Sequence, residues 1–205
     1  MGDMRINRAN AEIGEVTLAQ AYRLLNHGPT VIVSSYHNGK QNLMAAAWVT
    51  PLDFAPPKIT IVIDKNTYTR ELIEASGAFA INVPCVAQLD TVRKVGTSSG
   101  RNLNDTDKYR LYGLQTFLAK TIDAPLLKGC VAWLECRVIP EPHCQDTHDL
   151  FVAEVVAAYA DERVFSKNEN GQFGWHFEGY PGLRTIHHVA SGTFFVTGEP
   201  VSATL

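Results

Sequence analysis

The run Asp64-Lys65-Asn66-Thr67-Tyr68-Thr69-Arg70 has the residue types of a phosphate-binding turn. It follows the alternating Ile59, Ile61 and Ile63 and opens an amphipathic stretch, so it lies where a strand hands over to a helix. A helix N-terminus offers unpaired backbone N–H groups and the positive end of the dipole, and Thr, Lys and Arg add donors. Plain N-capping by Asn66 or Thr67 asks for the same residues. Upstream, Asn42-Leu43-Met44-Ala45-Ala46-Ala47-Trp48-Val49-Thr50-Pro51 sets three consecutive alanines in a strand. A planar aromatic ligand can lie on so bare a wall while backbone groups meet its polar edge. Close packing of a neighbouring helix would equally favour alanine.

Two further clusters are polar. Thr97-Ser98-Ser99-Gly100-Arg101-Asn102 joins small residues to a cation, which suits a phosphate or dinucleotide cradle as well as a solvated turn. It is neither a G-x-G-x-x-G fingerprint nor a P-loop. Pro142 to Asp149 contains His143, Cys144 and His148, the residue types of a zinc site without a second ligand pair. His148 with Asp149 alternatively suits an acid–base pair, or the segment is a turn whose histidines face solvent. His187-His188 is open in the same way, and a serine hydrolase would lack its G-x-S-x-G elbow.

The elements that must hold these residues are mostly strands. Thr17 and Gln20 fit a capping box before an apolar face at Leu18, Tyr22 and Leu25, which predicts a first helix ended by His27-Gly28-Pro29. Thr30 to Ser35 is β-rich, and Asn38-Gly39 is a two-residue hairpin turn leading to a strand from Leu43 to Val49. Pro51 and Pro56-Pro57 interrupt the pattern before Ile59 resumes it. Thr67 to Ala75 reads as a helix closed by Gly77, and Phe79, Ile81 and Val83 as a strand. Short helices are expected at Val86 to Val95 and near Lys108, flanking a loop from Gly96 to Asp105. Ala132 to Val138 alternates as a half-exposed strand, and Phe151 to Ala160 suits one buried on both faces. From about residue 161 the pattern loosens, with a turn-rich insert at Asn168 to Gly174 and a strand or arm at Thr193 to Thr197.

At 205 residues, 45% apolar and 19% charged, the chain suits one globular domain spanning 1–205. A net charge of −3 with scattered basic residues gives no footprint for nucleic acid or an anionic membrane. Met1 to Asn7 lacks an apolar signal segment, and Ile6 stands where a myristoylated Gly2 would want Ser or Thr. No stretch approaches the ~20 apolar residues of a membrane span. A cytoplasmic protein is expected, with its four cysteines as buried thiols rather than disulfides.

Taken in order, the motifs resemble the flavin reductase-like family of FMN-binding split barrels, which includes flavoredoxin. The carrying residues are Asn42-x-Met44-x-Ala46, Trp48-x-Thr50-Pro51, Pro56-Pro57 and Lys65-Asn66-Thr67-x-Thr69. Gly77-x-Phe79-x-x-Asn82-Val83-Pro84, Ser99-Gly100-Arg101 before Asp107-Lys108, and Asp146-x-His148-x-Leu150-Phe151-x-x-Glu154-Val155 complete the set. Where many members carry Gly-Asp-His, this chain has Asp146-Thr147-His148.

The resemblance implies a mainly β fold, a six-stranded antiparallel Greek-key split barrel with flanking short α-helices. It further implies a homodimer with FMN near the subunit interface. Carried over, Ala46, Ala47, Trp48, Val49 and Thr50 line the flavin ring, and Lys65, Asn66, Thr67 and Thr69 hold the phosphate. Asn82 lies near the cofactor, while Ser99, Gly100, Arg101 and Lys108 approach the phosphate or ribityl side. His148 matches a histidine near the flavin or nicotinamide. The implied activity takes a hydride from NADH or NADPH and passes electrons through FMN to a flavin, a ferric complex or a partner protein. The alternative is a flavoredoxin-like FMN electron carrier without its own nicotinamide activity.

Overall fold

The computed structural model describes residues 16–25, 27–103 and 106–203. The readings of Met1 to Asn7 and of part of the Gly96 to Asp105 loop therefore lie outside the described residues. Asn38 and Gly39 both take left-handed backbone, φ 47° and 78°, which matches a two-residue turn to the twist of its strands. They join β1 (Val31–His37) to β2 (Lys40–Ala46), with Val31 opposite Ala46. A second hairpin pairs β3 (Val49–Phe54) with β4 (Pro57–Val62). Next come α1 (Tyr68–Ser76), β5 (Ala78–Val83), α2 (Leu89–Thr97) and the short α3 (Lys108–Leu111). Gly77 ends α1 as expected, left-handed at φ 68° and donating its N–H to Ile73 O.

β6 (Thr116–Phe117) and β7 (Leu126–Leu127) form a small pair before the long strands β8 (Ala132–Ile139) and β9 (Leu150–Ala160). α4 (Pro142–His148) connects the two long strands. In the tail, β10 (Phe165–Lys167) pairs with β11 (Phe173–Trp175), so the turn-rich insert is a hairpin loop. β12 (Ile186–Ala190) pairs with β13 (Thr193–Val196).

Seven strands form the main antiparallel sheet, in the order β2-β1-β5-β8-β9-β4-β3. The expected count was six. The difference arises at Ala47-Trp48, which leave the ladder and divide the single strand expected from Leu43 to Val49 into the end of β2 and the start of β3. Pro51 sits inside β3 rather than breaking it, because β3 is an edge strand and needs no N–H on its open side.

The same two residues force the sheet to close. β2 and β3 are its opposite edges, and a flat sheet of seven strands would hold them ~29 Å apart at ~4.8 Å per step. Ala46 to Val49 is three Cα steps, at most ~11 Å. The sheet therefore curls until its edges meet. Its interior is one cluster drawn from every strand of the sheet and from α1, including Val33, Met44, Val49, Ile61, Ile73, Phe79, Cys136 and Phe151. A second cluster lies outside the barrel beneath α2, α3 and β12, with Ile32, Leu43, Val92, Tyr109, Leu127 and Ile186.

Two local expectations change. The first helix is a 3-10 segment over Leu18–Leu24. Thr17 makes no side-chain cap, and Leu18 and Leu25 are exposed among the described residues. The segment expected as a turn around His143 is α4, with Pro142 in its first turn and Asp149 left-handed at its end. All four cysteines are free, Cys85, Cys130 and Cys136 are buried, and burial pushes the Cys136 thiol up to about 12. Among the described residues, no helix is long and apolar enough to cross a membrane.

Candidate functional site

Side chains alternate along β2, so Ala45 packs into the outer cluster and Ala46 into the barrel interior. Where the strand ends at Ala46 and the chain continues into Ala47, small residues are left facing open space on both sides. A cavity of about 520 Å³ lies against Ala45, Ala46, Ala47 and Trp48, and its other walls include Asp64, His148 and His188. A smaller one of about 220 Å³ shares the three alanines and His188. Trp48 is half exposed, meets the Tyr22 ring edge-on at 6.0 Å, and accepts the Val62 N–H on its carbonyl at 3.0 Å. Val49 and Thr50 continue into β3, paired with Ile61 and Thr60, and border neither cavity.

The wall and His148, about a hundred residues apart in sequence, thus meet across one cavity. His148 is exposed at the last position of α4, its ring 5.9 Å from that of His143 and nearly perpendicular to it. No group of three or more His, Cys, Asp or Glu among the described residues is placed to hold a metal ion.

The start of α1 carries the second feature. Thr67 caps it: its Oγ1 accepts the Arg70 N–H at 3.3 Å and donates to Asp64 O at 2.8 Å. Asn66 donates both its N–H (2.7 Å) and its Nδ2 (3.0 Å) to Asp64 Oδ1, while Lys65 is exposed. Arg101 reaches over from the following loop, donating to Asn66 O and pairing with Glu71. Ser99 Oγ accepts the Arg101 N–H, and Gly100 lies so close to Asn42 that a Cβ there would collide with its amide. Gly100 and Arg101 border a separate polar cavity of about 580 Å³, together with Lys40 and Arg110. Lys65, Asn66, Thr67, Ser99, Gly100 and Arg101 are therefore gathered around one helix start, beside the alanine wall but outside its cavity.

Three expected site residues turn inward instead. Thr69 is fully buried, and its Oγ1 accepts the Asn42 amide at 2.8 Å. Asn82 is fully buried too: Nδ2 donates to Ile32 O and Ser34 Oγ, and Oδ1 accepts the Leu127 N–H at 2.7 Å. Lys108 is 2% exposed, with Nζ donating to Leu43 O and Val95 O, both at 2.7 Å. Their polar atoms join β1, β2, β5, β7 and α2.

Arg70, the last residue of the phosphate-turn run, has a role its sequence position did not suggest. It is 5% exposed and donates Nε to Glu74 (2.7 Å), Nη1 to Asp149 (2.5 Å) and Nη2 to Gln145 O (2.9 Å), with its guanidinium 5.2 Å from the Phe151 ring centre. Burial opposes its charge, but Glu74 and then Asp149 outweigh it and hold the guanidinium above its ordinary value. Ile63 adds a backbone bond, donating its N–H to Asp149 O at 2.9 Å. Arg70 thereby fastens α1 and the end of β4 to the turn that carries His148. The Glu74 partner at i+4 is visible in the sequence, but the partners 75 and 79 residues away are not.

The flavin reductase like domain model matches residues 22–184 of the chain. A solved structure described as an FMN-binding domain of a flavin reductases-like enzyme, from Shewanella baltica OS155, is similar at 49% identity and TM-score 0.78. That match covers 92% of this chain and 96% of that one. An uncharacterized protein of Escherichia coli K12, YddH, is 43% identical over 191 residues, 92% of this chain and 96% of its own length. Flavoredoxin of Desulfovibrio vulgaris (Miyazaki F) shares the fold at TM-score 0.74 and 24% identity, covering 95% of this chain and 96% of that one.

Proposed function

The chain belongs to the flavin reductase-like family, and from that premise we propose that it binds FMN on the Ala45–Trp48 wall and works as an oxidoreductase. It draws electrons from NADH or NADPH and delivers them to a free flavin, a ferric complex or a partner protein. The observation that carries this reading is the cavity of about 520 Å³ in which the bare alanine wall and His148 face each other. Its size is that of a small-molecule site, and the wall has no side chain beyond a methyl until Trp48. The donor set suits a phosphate: a nine-residue helix start capped by Thr67, with Lys65 and Arg101 as cations. The 49% identical structure from Shewanella baltica, described as FMN-binding, supports the same cofactor.

Each residue then has a physical task. Ala46, Ala47 and Trp48 present a flat surface and N–H and C=O groups to a planar ring, and Val49 and Thr50 anchor the end of that wall in β3. Lys65, Asn66, Thr67 and the Ser99-Gly100-Arg101 loop hold the phosphate, and Asp64 keeps Asn66 oriented until it arrives. Thr69, Asn82 and Lys108 keep the scaffold beneath them rigid. Bound FMN would supply the redox chemistry, accepting a hydride and releasing electrons. His148 offers its imidazole at the mouth of the cavity, to orient the donor or hold a proton. A second copy of the chain is the natural partner, since Trp48, Leu52 and Phe54 leave exposed apolar side chains beside the site.

Anaerobic mixing of FMN-loaded protein with NADH or NADPH tests the activity. Bleaching of the flavin band near ~450 nm is expected. A flavin that stays oxidised with both donors, yet is reduced by a partner protein, would replace the reductase with an electron carrier.

A further inference from the structure

The family match ends at residue 184, and the β12–β13 hairpin begins just past it. The barrel nevertheless holds this hairpin firmly. Ile186 is fully buried in the outer cluster with Ile32, Leu43 and Val92, and its carbonyl accepts the Thr30 N–H at 3.1 Å. Thr30 Oγ1 in turn accepts the His188 N–H at 2.7 Å.

The two adjacent histidines divide their work. His187 uses both ring nitrogens within the framework, Nδ1 at 3.1 Å from Gly28 O and Nε2 at 3.1 Å from Thr197 Oγ1. The ring nitrogens of His188 make no hydrogen bond among the described residues, and its ring rests edge-on against Phe194 at 5.3 Å. A bulge between His188 and Ala190 breaks the ladder there, the kind of irregularity that re-aims a side chain at a site. The result is an imidazole bordering both cavities on the Ala45–Ala47 wall. At the hairpin's tip, Gly192 lies beside the guanidinium of Arg93 of α2, and both residues border the smaller cavity on the same wall.

We propose that the C-terminal hairpin is part of the site and that the His188 imidazole hydrogen-bonds an oxygen of the bound flavin nucleotide. This rests on the FMN reading above. A half-buried imidazole with free ring nitrogens, placed on the wall where the ring would lie, is poised to engage either a phosphate oxygen or a carbonyl of the ring's polar edge.

The test is a titration of FMN against wild type, His188→Ala and His188→Gln, read by quenching of flavin fluorescence. His188→Ala should bind FMN about tenfold more weakly, as befits one lost hydrogen bond to a charged or polar oxygen. His188→Gln, which keeps a side-chain donor, should recover most of that loss. Riboflavin separates the two oxygens: a loss confined to FMN points to the phosphate, and a loss shared by riboflavin points to the ring edge. Because the alanine variant could perturb the hairpin, wild type carrying ¹⁵N-histidine gives a second readout, in which the His188 ring resonances should move on FMN addition. Unchanged FMN affinity in His188→Ala, with unmoved ring resonances in a wild type that does bind FMN, would overturn the inference and leave the FMN reading standing. A wild type that ignores FMN would remove both.

Discussion

Thr67 and Thr69 stand two positions apart at one helix start and do different work. Thr67 has its hydroxyl at the rim, capping α1, whereas Thr69 is sealed inside against the Asn42 amide. Thr69→Ala strands a buried donor and should lower the unfolding free energy by about 1–3 kcal/mol in urea denaturation, with FMN affinity unmoved. Thr67→Ala should cost about 1 kcal/mol through the lost cap and should also weaken FMN binding. The sequence offered both as phosphate ligands because a motif records residue types and spacing. Which hydroxyl faces inward depends on how α1 lies across β2, and no local pattern encodes that. Lys108 was misplaced for the same reason: a lysine after a polar loop reads as a surface cation. Burial instead pushes its ammonium down to about 8, below its ordinary 10.5. Between those values the unfolded chain holds a proton that the folded chain lacks, so this group makes stability rise with pH across that window. Urea denaturation at ~pH 8 and ~pH 10.5 should show wild type gaining stability relative to Lys108→Met as pH rises.

At the scale of elements, Arg70 and Asp149 form the joint on which His148 depends. Asp149 is left-handed at the end of α4 and is tied to the α1 guanidinium and to the Ile63 N–H. Asp149→Asn removes one of the charges that compensate a nearly buried guanidinium. It should lower stability by about 2–4 kcal/mol and slow flavin reduction by NAD(P)H more than it weakens FMN binding. Chemical denaturation and stopped-flow reduction check the two halves of that expectation. The elements that were legible in the sequence carry their own local chemistry: Asn38-Gly39 for the first hairpin, Gly77 for the end of α1, strict alternation for β5 and β8. α4 was not legible. Its seven residues have no apolar periodicity, and tertiary bonds to Arg70 hold its end in place. The amino-terminal segment shows the converse, since the helical pattern at Leu18 to Leu25 touches the barrel through Tyr22 on Trp48 while Leu18 and Leu25 stay exposed.

At the scale of the whole molecule, a linker of two residues between opposite edges of a seven-stranded sheet both closes the barrel and lays down the wall. Strand patterns alone suit a closed or nearly closed barrel but do not say where it closes, because the order of pairing sets which strands become edges. The open side of β3 leaves Leu52 and Phe54 exposed next to Trp48, Phe54 almost completely. A dimer that covers this strand should be visible in sedimentation equilibrium, and Phe54→Glu should shift it toward monomer. The tail was the least readable part of the sequence, because its strands are short and their anchors lie 159 and 158 residues upstream at Gly28 and Thr30.

Filling the Ala45–Trp48 wall decides whether FMN lies on it. Ala47 is half-buried in the link between β2 and β3 and borders both cavities. Ala47→Phe should therefore occupy the ring's place and leave the barrel core intact. In a fluorescence titration, wild type should quench FMN and saturate, while a folded Ala47→Phe should leave FMN free. Equal quenching by both would place the flavin elsewhere.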